Sequence, residues 1–65
     1  GGYARVGARS WIGLGTVLRD RVEIGADSFI GAGSLVLKSI PDRALAYGQP
    51  ARVVRALADG DWPYP

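Results

Sequence analysis

Branched aliphatic residues stand at every sixth position along the first half of the chain: Val6, Ile12, Leu18, Ile24, Ile30 and Val36. Gly follows four of them, at Gly7, Gly13, Gly25 and Gly31. Four places after each aliphatic comes a small or β-branched residue, in the order Ser10, Thr16, Val22, Ser28, Ser34 and Ile40. A period of six fits neither the 3.6-residue repeat of an amphipathic helix nor the unbroken two-residue alternation of a long strand. It fits short strands separated by regular turns. A second period of eighteen lies on the first, because Val6–Thr16 matches Ile24–Ser34 with Gly, Ala, Ser, Ile, Gly and Gly identical. Three six-residue units therefore make one structural turn, and the chain holds two such turns.

Stacking explains both periods. In a triangle of three short strands, residues eighteen apart lie one above the other at the ~4.8 Å strand spacing. The aliphatics then point inward as ladders, Val6 on Ile24, Ile12 on Ile30 and Leu18 on Val36. The small residues four places on fill the corners, where a large side chain does not fit. The Gly after each aliphatic is expected to supply the backbone angles of a tight corner. Trp11 and Phe29 are expected to stack on an outer face, where they could cover a neighbouring subunit. Further on, Pro41 and Pro50 fix bends. Residues Arg43 to Tyr47 suit a short strand, Arg52 to Asp59 a helix, and Asp61 to Pro65 a loosely ordered end. The division expected is 1–40 for the coils and 41–65 for a closing loop and tail.

With 65 residues, a single unit is all that fits. Such a chain buries only ~60% of its unfolded surface, so an independent core is marginal. Having no Cys and no His, it lacks disulfides and the usual metal ligands. Assembly, or membership of a longer chain, remains. The absence of an initiator Met suggests a cut or processed end, and Gly1-Gly2-Tyr3 does not open a signal peptide. No apolar run reaches membrane-spanning length. Lack of Cys fits a reducing, cytoplasmic setting. The net charge of +2 is spread among acids rather than clustered, which argues against nucleic acid. Asp20, Glu23 and Asp27, set among Arg19 and Arg21, read as outward surface ion pairs.

The repeat resembles that of the hexapeptide acyltransferases: aliphatic, Gly or small, two variable residues, a small residue and one more. The tail sharpens the likeness. Val36-Leu37-Lys38-Ser39-Ile40-Pro41, followed by Tyr47-Gly48-Gln49-Pro50-Ala51-Arg52-Val53-Val54-Arg55, looks like the family's closing signature. The likeness is greatest to the sialic-acid O-acetyltransferase and amino-sugar N-acetyltransferase type, in which a small-Gly dipeptide such as Gly1-Gly2 opens the coil after the active site. It covers roughly residues 1 to 55. It implies an all-β, left-handed parallel β-helix of about two coils with a short strand or helix tail, assembled as a homotrimer. It also implies acetyl-CoA as donor, and an amino or hydroxyl acceptor on a sugar or sugar nucleotide.

Relatives of this kind use a His as general base. None exists here, so no catalytic residue is assigned, and by the resemblance the base lies just upstream of Gly1. Tyr3 stands where some relatives carry His, but a phenol is a poor base at neutral pH. For CoA, the resemblance assigns Gly13, Gly15, Gly31, Ala32, Gly33 and Ser34 to a groove between adjacent β-helices that holds the pantetheine arm. Small residues let a ligand approach the backbone closely. The plainer reading is that the turn alone demands Gly, which suits Gly7 and Gly25 best; Gly15 and Gly33 lie outside the repeat's standard Gly position. Lys38, Arg52 and Arg55 match basic positions of the closing signature and suit the phosphates, Arg52 most of all; otherwise they are solvated charges that cap the open end. Pro50 and Ala51 are expected to shape the loop. No metal set, nucleophilic triad or phosphate loop is visible. Two alternatives remain. A non-catalytic β-helix scaffold would need no CoA, and a β-helical carbonic anhydrase would need zinc-binding histidines that this chain lacks.

Overall fold

The computed structural model describes residues 3–58 and 61. Six two-residue strands come first: β1 (Arg5–Val6), β2 (Trp11–Ile12), β3 (Val17–Leu18), β4 (Glu23–Ile24), β5 (Phe29–Ile30) and β6 (Leu35–Val36). They pair in parallel at a separation of eighteen: Val6 with Ile24, Ile12 with Ile30 and Leu18 with Val36. The aliphatic ladders therefore form as the spacing predicts. Ile24 is 2% exposed, and Ile30 and Val36 are fully buried. Expectations about Gly1, Gly2, Asp59 and Trp62–Pro65 fall outside the described residues.

The turns obey a rule that the glycines concealed. The third residue after each of the first five aliphatics takes a left-handed backbone: Arg9 (φ 59°), Gly15 (77°), Arg21 (70°), Asp27 (57°) and Gly33 (71°), as does Arg43 (54°), three places after Ile40. Gly7, Gly13, Gly25 and Gly31 are absent from that conformation. What they provide is room between coils. A β-carbon on Gly7 would stand 2.6 Å from the Ala26 nitrogen, and one on Gly31 2.8 Å from Tyr47 Cβ. The expectation that these four supply corner angles is thus corrected: close stacking requires them, and the corner angle belongs to the residue two places later.

At the small positions, hydroxyls bond one coil to the next. Ser10 Oγ donates to the Gly25 carbonyl (2.5 Å) and accepts from the Ser28 amide (3.1 Å). Ser28 Oγ donates to the Pro41 carbonyl (2.7 Å) and accepts from the Ala44 amide (3.2 Å). Ser28 is fully buried. Ser28→Ala should therefore take the hydroxyl partner from the buried Ala44 amide and from the Pro41 carbonyl and lower stability by ~1–3 kcal/mol. Urea unfolding checks this, and an unchanged midpoint would contradict it.

The third coil is shorter. Ile40 bridges Ile24, and Ala46 lies opposite Ile30, so both separations are sixteen residues rather than eighteen. Ile40, read above as the close of the small-residue series, instead tops an aliphatic ladder and is 5% exposed. Strand β7 (Ala44–Gly48) pairs in parallel with β5, and β8 (Ala51–Ala56) turns back antiparallel to β7. The helix expected from Arg52 is overturned by β8. The β-branched pair Val53-Val54 suits an extended chain, and pairing with the edge of β7 avoids the nucleation cost that makes an isolated short helix marginal.

The surface ion pair expected at Asp27 forms, its partner being Arg9 of the preceding coil at 2.8 Å. The hydrogen bond from Arg9 holds the Asp27 carboxyl below the usual range, and Asp27 raises Arg9 in turn. Asp20 accepts from the Tyr3 amide at 3.0 Å.

Candidate functional site

Two Gly-rich corners lie one above the other. Gly13-Leu14-Gly15-Thr16 joins β2 to β3, and Gly31-Ala32-Gly33-Ser34 joins β5 to β6. The Gly33 amide donates to the Leu14 carbonyl at 2.9 Å. Thr16 Oγ1 and Ser34 Oγ both donate to the Gly31 carbonyl, at 3.1 and 2.7 Å. Each glycine has a structural reason of its own. Gly13 and Gly31 admit the next coil, and Gly15 and Gly33 make the left-handed turn. The difference lies in the space around them, because nothing stands within 4 Å of where a Gly33 β-carbon would be.

The neighbouring corner shows what a closed one looks like. At Gly25-Ala26-Asp27-Ser28, the Ala26 amide is accepted by Asp42 Oδ1 at 2.8 Å, and the Ala26 carbonyl accepts from the Arg43 amide at 2.9 Å. The Ala32 amide, its counterpart six residues on, finds no acceptor among the described residues. The upper Gly-rich corner thus presents a free amide donor beside an open, Cβ-free space.

Between the segment leaving β6 and the entry to β8 lies an open cleft of about 460 Å³. Lys38 and Arg52 line it together, with Leu37, Ser39, Ile40, Pro50, Ala51 and Val53 forming a largely apolar wall. Two of the three cations singled out from sequence are therefore brought together. Arg55 is not with them. It lies opposite Leu45 in the β7–β8 pairing and is bonded to Asp61 at 2.9 Å. That bond and one from the Ala58 amide, the larger effect, keep the Asp61 carboxyl below its ordinary range. Pro50 and Ala51, expected only to shape the loop, are part of the cleft wall.

A second hollow of about 630 Å³, lined by Tyr3, Ala4, Arg5, Arg21 and Glu23, lies at the first coil. It contains none of the Gly-rich corner. On the face formed by β2, β5 and β7, the Trp11 and Phe29 rings stack at 4.5 Å and 10°, as expected, with Trp11 half-exposed.

Sequence reasoning missed Gln49 and Asp42. Gln49 Nε2 donates to the Gly33 carbonyl at 2.7 Å, and the Gly48 amide donates to Ser34 Oγ at 3.2 Å. The closing segment is thereby tied to the Gly-rich corner. The signal was present in Tyr47-Gly48-Gln49-Pro50, but no spacing rule shows which coil carbonyl a loop amide will reach.

Residues 3–38 match the bacterial transferase hexapeptide (six repeats) family. The chain is similar to the galactoside O-acetyltransferase of Lactococcus lactis subsp. lactis (strain IL1403), with 48% identity over 52 residues, covering 80% of this chain and 25% of that protein. Among solved structures it is similar to a galactoside acetyltransferase in complex with coenzyme A: TM-score 0.85, 45% identity, 89% of this chain and 29% of that one. It is also similar to PerB from Caulobacter crescentus in complex with CoA and GDP-perosamine: TM-score 0.75, 42% identity, 77% of this chain and 24% of that one. The stacked triangle is accordingly the left-handed parallel β-helix. The chain spans 24% to 29% of the length of these relatives.

Proposed function

This chain belongs to the bacterial transferase hexapeptide family, and on that premise we propose that it is the C-terminal part of an acetyl-CoA-dependent acetyltransferase and supplies the donor groove. The observation that carries the reading is the open corner at Gly31–Ser34 together with a cleft that gathers Lys38 and Arg52. A pantetheine arm is a string of amides, and it needs backbone donors approachable without β-carbons. The Ala32 amide and the space beside Gly33 meet that need. The nucleotide end carries phosphates and an aromatic base on one ribose, and needs cations beside an apolar wall. Lys38 and Arg52 with Leu37, Pro50 and Val53 have that character. Complexes of two similar proteins with coenzyme A support the assignment.

In the reaction proposed, an amino or hydroxyl group of a sugar or sugar nucleotide attacks the thioester carbonyl. The carbon–sulfur bond breaks, and the acceptor's proton passes by way of a general base to the departing thiolate. With no His in the 65 residues, the base belongs to a part of the enzyme outside them. The GDP-perosamine bound by PerB supports a sugar-nucleotide acceptor. The exposed apolar side chains Trp11, Leu14 and Val17 suit burial against neighbouring β-helices in a homotrimer, which would wall the groove from the other side.

Arg52→Ala in the complete protein should weaken CoA about tenfold or more, the effect of losing a charge-assisted hydrogen bond, and weaken dephospho-CoA less. Calorimetric titration of both ligands checks this. Equal losses would mean that Arg52 does not read the 3′-phosphate. A wild-type protein that binds neither ligand would remove the donor-groove reading and leave a β-helical scaffold.

A further inference from the structure

The geometry points to Gln49 as the positioning residue of the donor groove: its side-chain amide fixes the Gly33 peptide, and so the shape of the surface against which the pantetheine arm lies. This rests on the donor-groove reading above.

In this fold the carbonyl two places after a ladder aliphatic accepts from a backbone amide of the coil above: Ala8 from Asp27, Leu14 from Gly33 and Ala26 from Arg43. Above the upper Gly-rich corner the chain is turning from β7 into β8. There a side chain makes the tie, because Gln49 Nε2 donates to the Gly33 carbonyl at 2.7 Å.

The buried Ser34 hydroxyl anchors the far side of that peptide; on the Gly33 side little else restrains it. Gly33 has a left-handed backbone (φ 71°) and open space where its side chain would be. Glycine has more backbone freedom than any other residue, so packing does not hold the corner. Hydrogen bonds at its amide and its carbonyl do, the first to Leu14 and the second from Gln49. With the second removed, the Gly33 carbonyl keeps no hydrogen bond among the described residues to fix its direction, and only the Ser34 end of the peptide stays anchored. A ligand that lies along it must then order the peptide on binding, at a cost in affinity. Gln49 precedes Pro50 and Ala51, which line the cleft with Arg52. One short segment therefore serves both ends of the donor, by different means.

The test separates those ends. CoA, pantetheine and adenosine 3′,5′-bisphosphate are titrated calorimetrically into the complete protein and into its Gln49→Leu and Gln49→Glu variants. Wild-type binding of CoA establishes the groove. If wild type binds none of the three, the groove reading falls and this inference falls with it. Gln49→Leu should weaken CoA and pantetheine about tenfold, the worth of one lost hydrogen bond. It should leave adenosine 3′,5′-bisphosphate within twofold, which also shows that the variant is folded. Gln49→Glu keeps the size but sets a carboxylate against the Gly33 carbonyl, so it should weaken pantetheine at least as much at pH 7. That loss should be relieved as the pH falls through the carboxyl's range, because the protonated acid can donate again. Equal weakening of all three ligands, or no weakening of pantetheine in either variant, would overturn the assignment.

Discussion

Ile30→Asp should leave the chain with no cooperative unfolding transition. Ile30 is fully buried in the central ladder, between Ile12 below and Ala46 above. Removing the aliphatic side chain forfeits ~1.5–3 kcal/mol of burial. The carboxylate that replaces it has no cation within the ladder, and burying an unpaired charge costs several kcal/mol more. Together these rival the ~5–15 kcal/mol that holds a whole domain together, and a chain of this size stands at the low end of that range. Circular dichroism during a thermal ramp reads the result. A variant that melts sharply would mean that residue 30 does not face inward, and the ladder assignment would fall. Partial recovery of structure in acid fits the same account, because protonation removes the buried charge.

Two single-methyl changes in the Gly-rich corners should behave differently, although both are Gly→Ala. In Gly13→Ala the new β-carbon falls on the main-chain nitrogen and Cα of Ala32. Those atoms are backbone, held by the coil register, so the coils must part. The expected loss is ~1–3 kcal/mol or more, the cost of overpacking a core that cannot yield. Gly33→Ala meets no atom within 4 Å. Its only intrinsic cost is a left-handed backbone carrying a side chain, ~1–2 kcal/mol. Parallel urea titrations should therefore rank Gly13→Ala as the more damaging. If Gly33→Ala proves worse, backbone angle rather than coil contact governs these corners.

That contrast shows what the sequence could and could not reveal. The six-residue aliphatic period was legible because each inward position is filled independently, so the ladders follow from counting alone. The glycines were legible as necessary but not as to why. A demand for positive φ and a demand for close contact both select Gly, and only the structure shows that Arg9, Arg21 and Asp27 occupy the left-handed positions. The sixteen-residue coil was illegible because Ile40 fits either series: four places after Val36 it reads as small or β-branched, and only its bridge to Ile24 places it in a ladder. The helix expected from Arg52 failed because Val53 and Val54 gain strand pairing from β7, a partner that local propensity does not see. At the site, the signature gave Lys38 and Arg52, which the fold brings to one cleft. It also gave Arg55, which the fold commits to Asp61. Gln49 escaped because its partner is a backbone carbonyl sixteen residues earlier, which no side-chain spacing marks.

The shortened coil has a consequence for the ends of the molecule. A stack of identical eighteen-residue coils is a one-dimensional lattice, and nothing in its repeat says where growth should stop. Every top edge is a template for another layer, whether from the same chain or a stranger. On the face built from β2, β5 and β7, the lattice vector changes from eighteen residues to sixteen, and the next row is β8, running the other way. A newcomer in the old orientation can no longer continue the parallel ladder there and could pair only antiparallel to β8. The parallel lattice thus ends in a unit of reversed polarity, as a polymer's repeat ends in a unit that bonds to the growing end but does not propagate the same linkage.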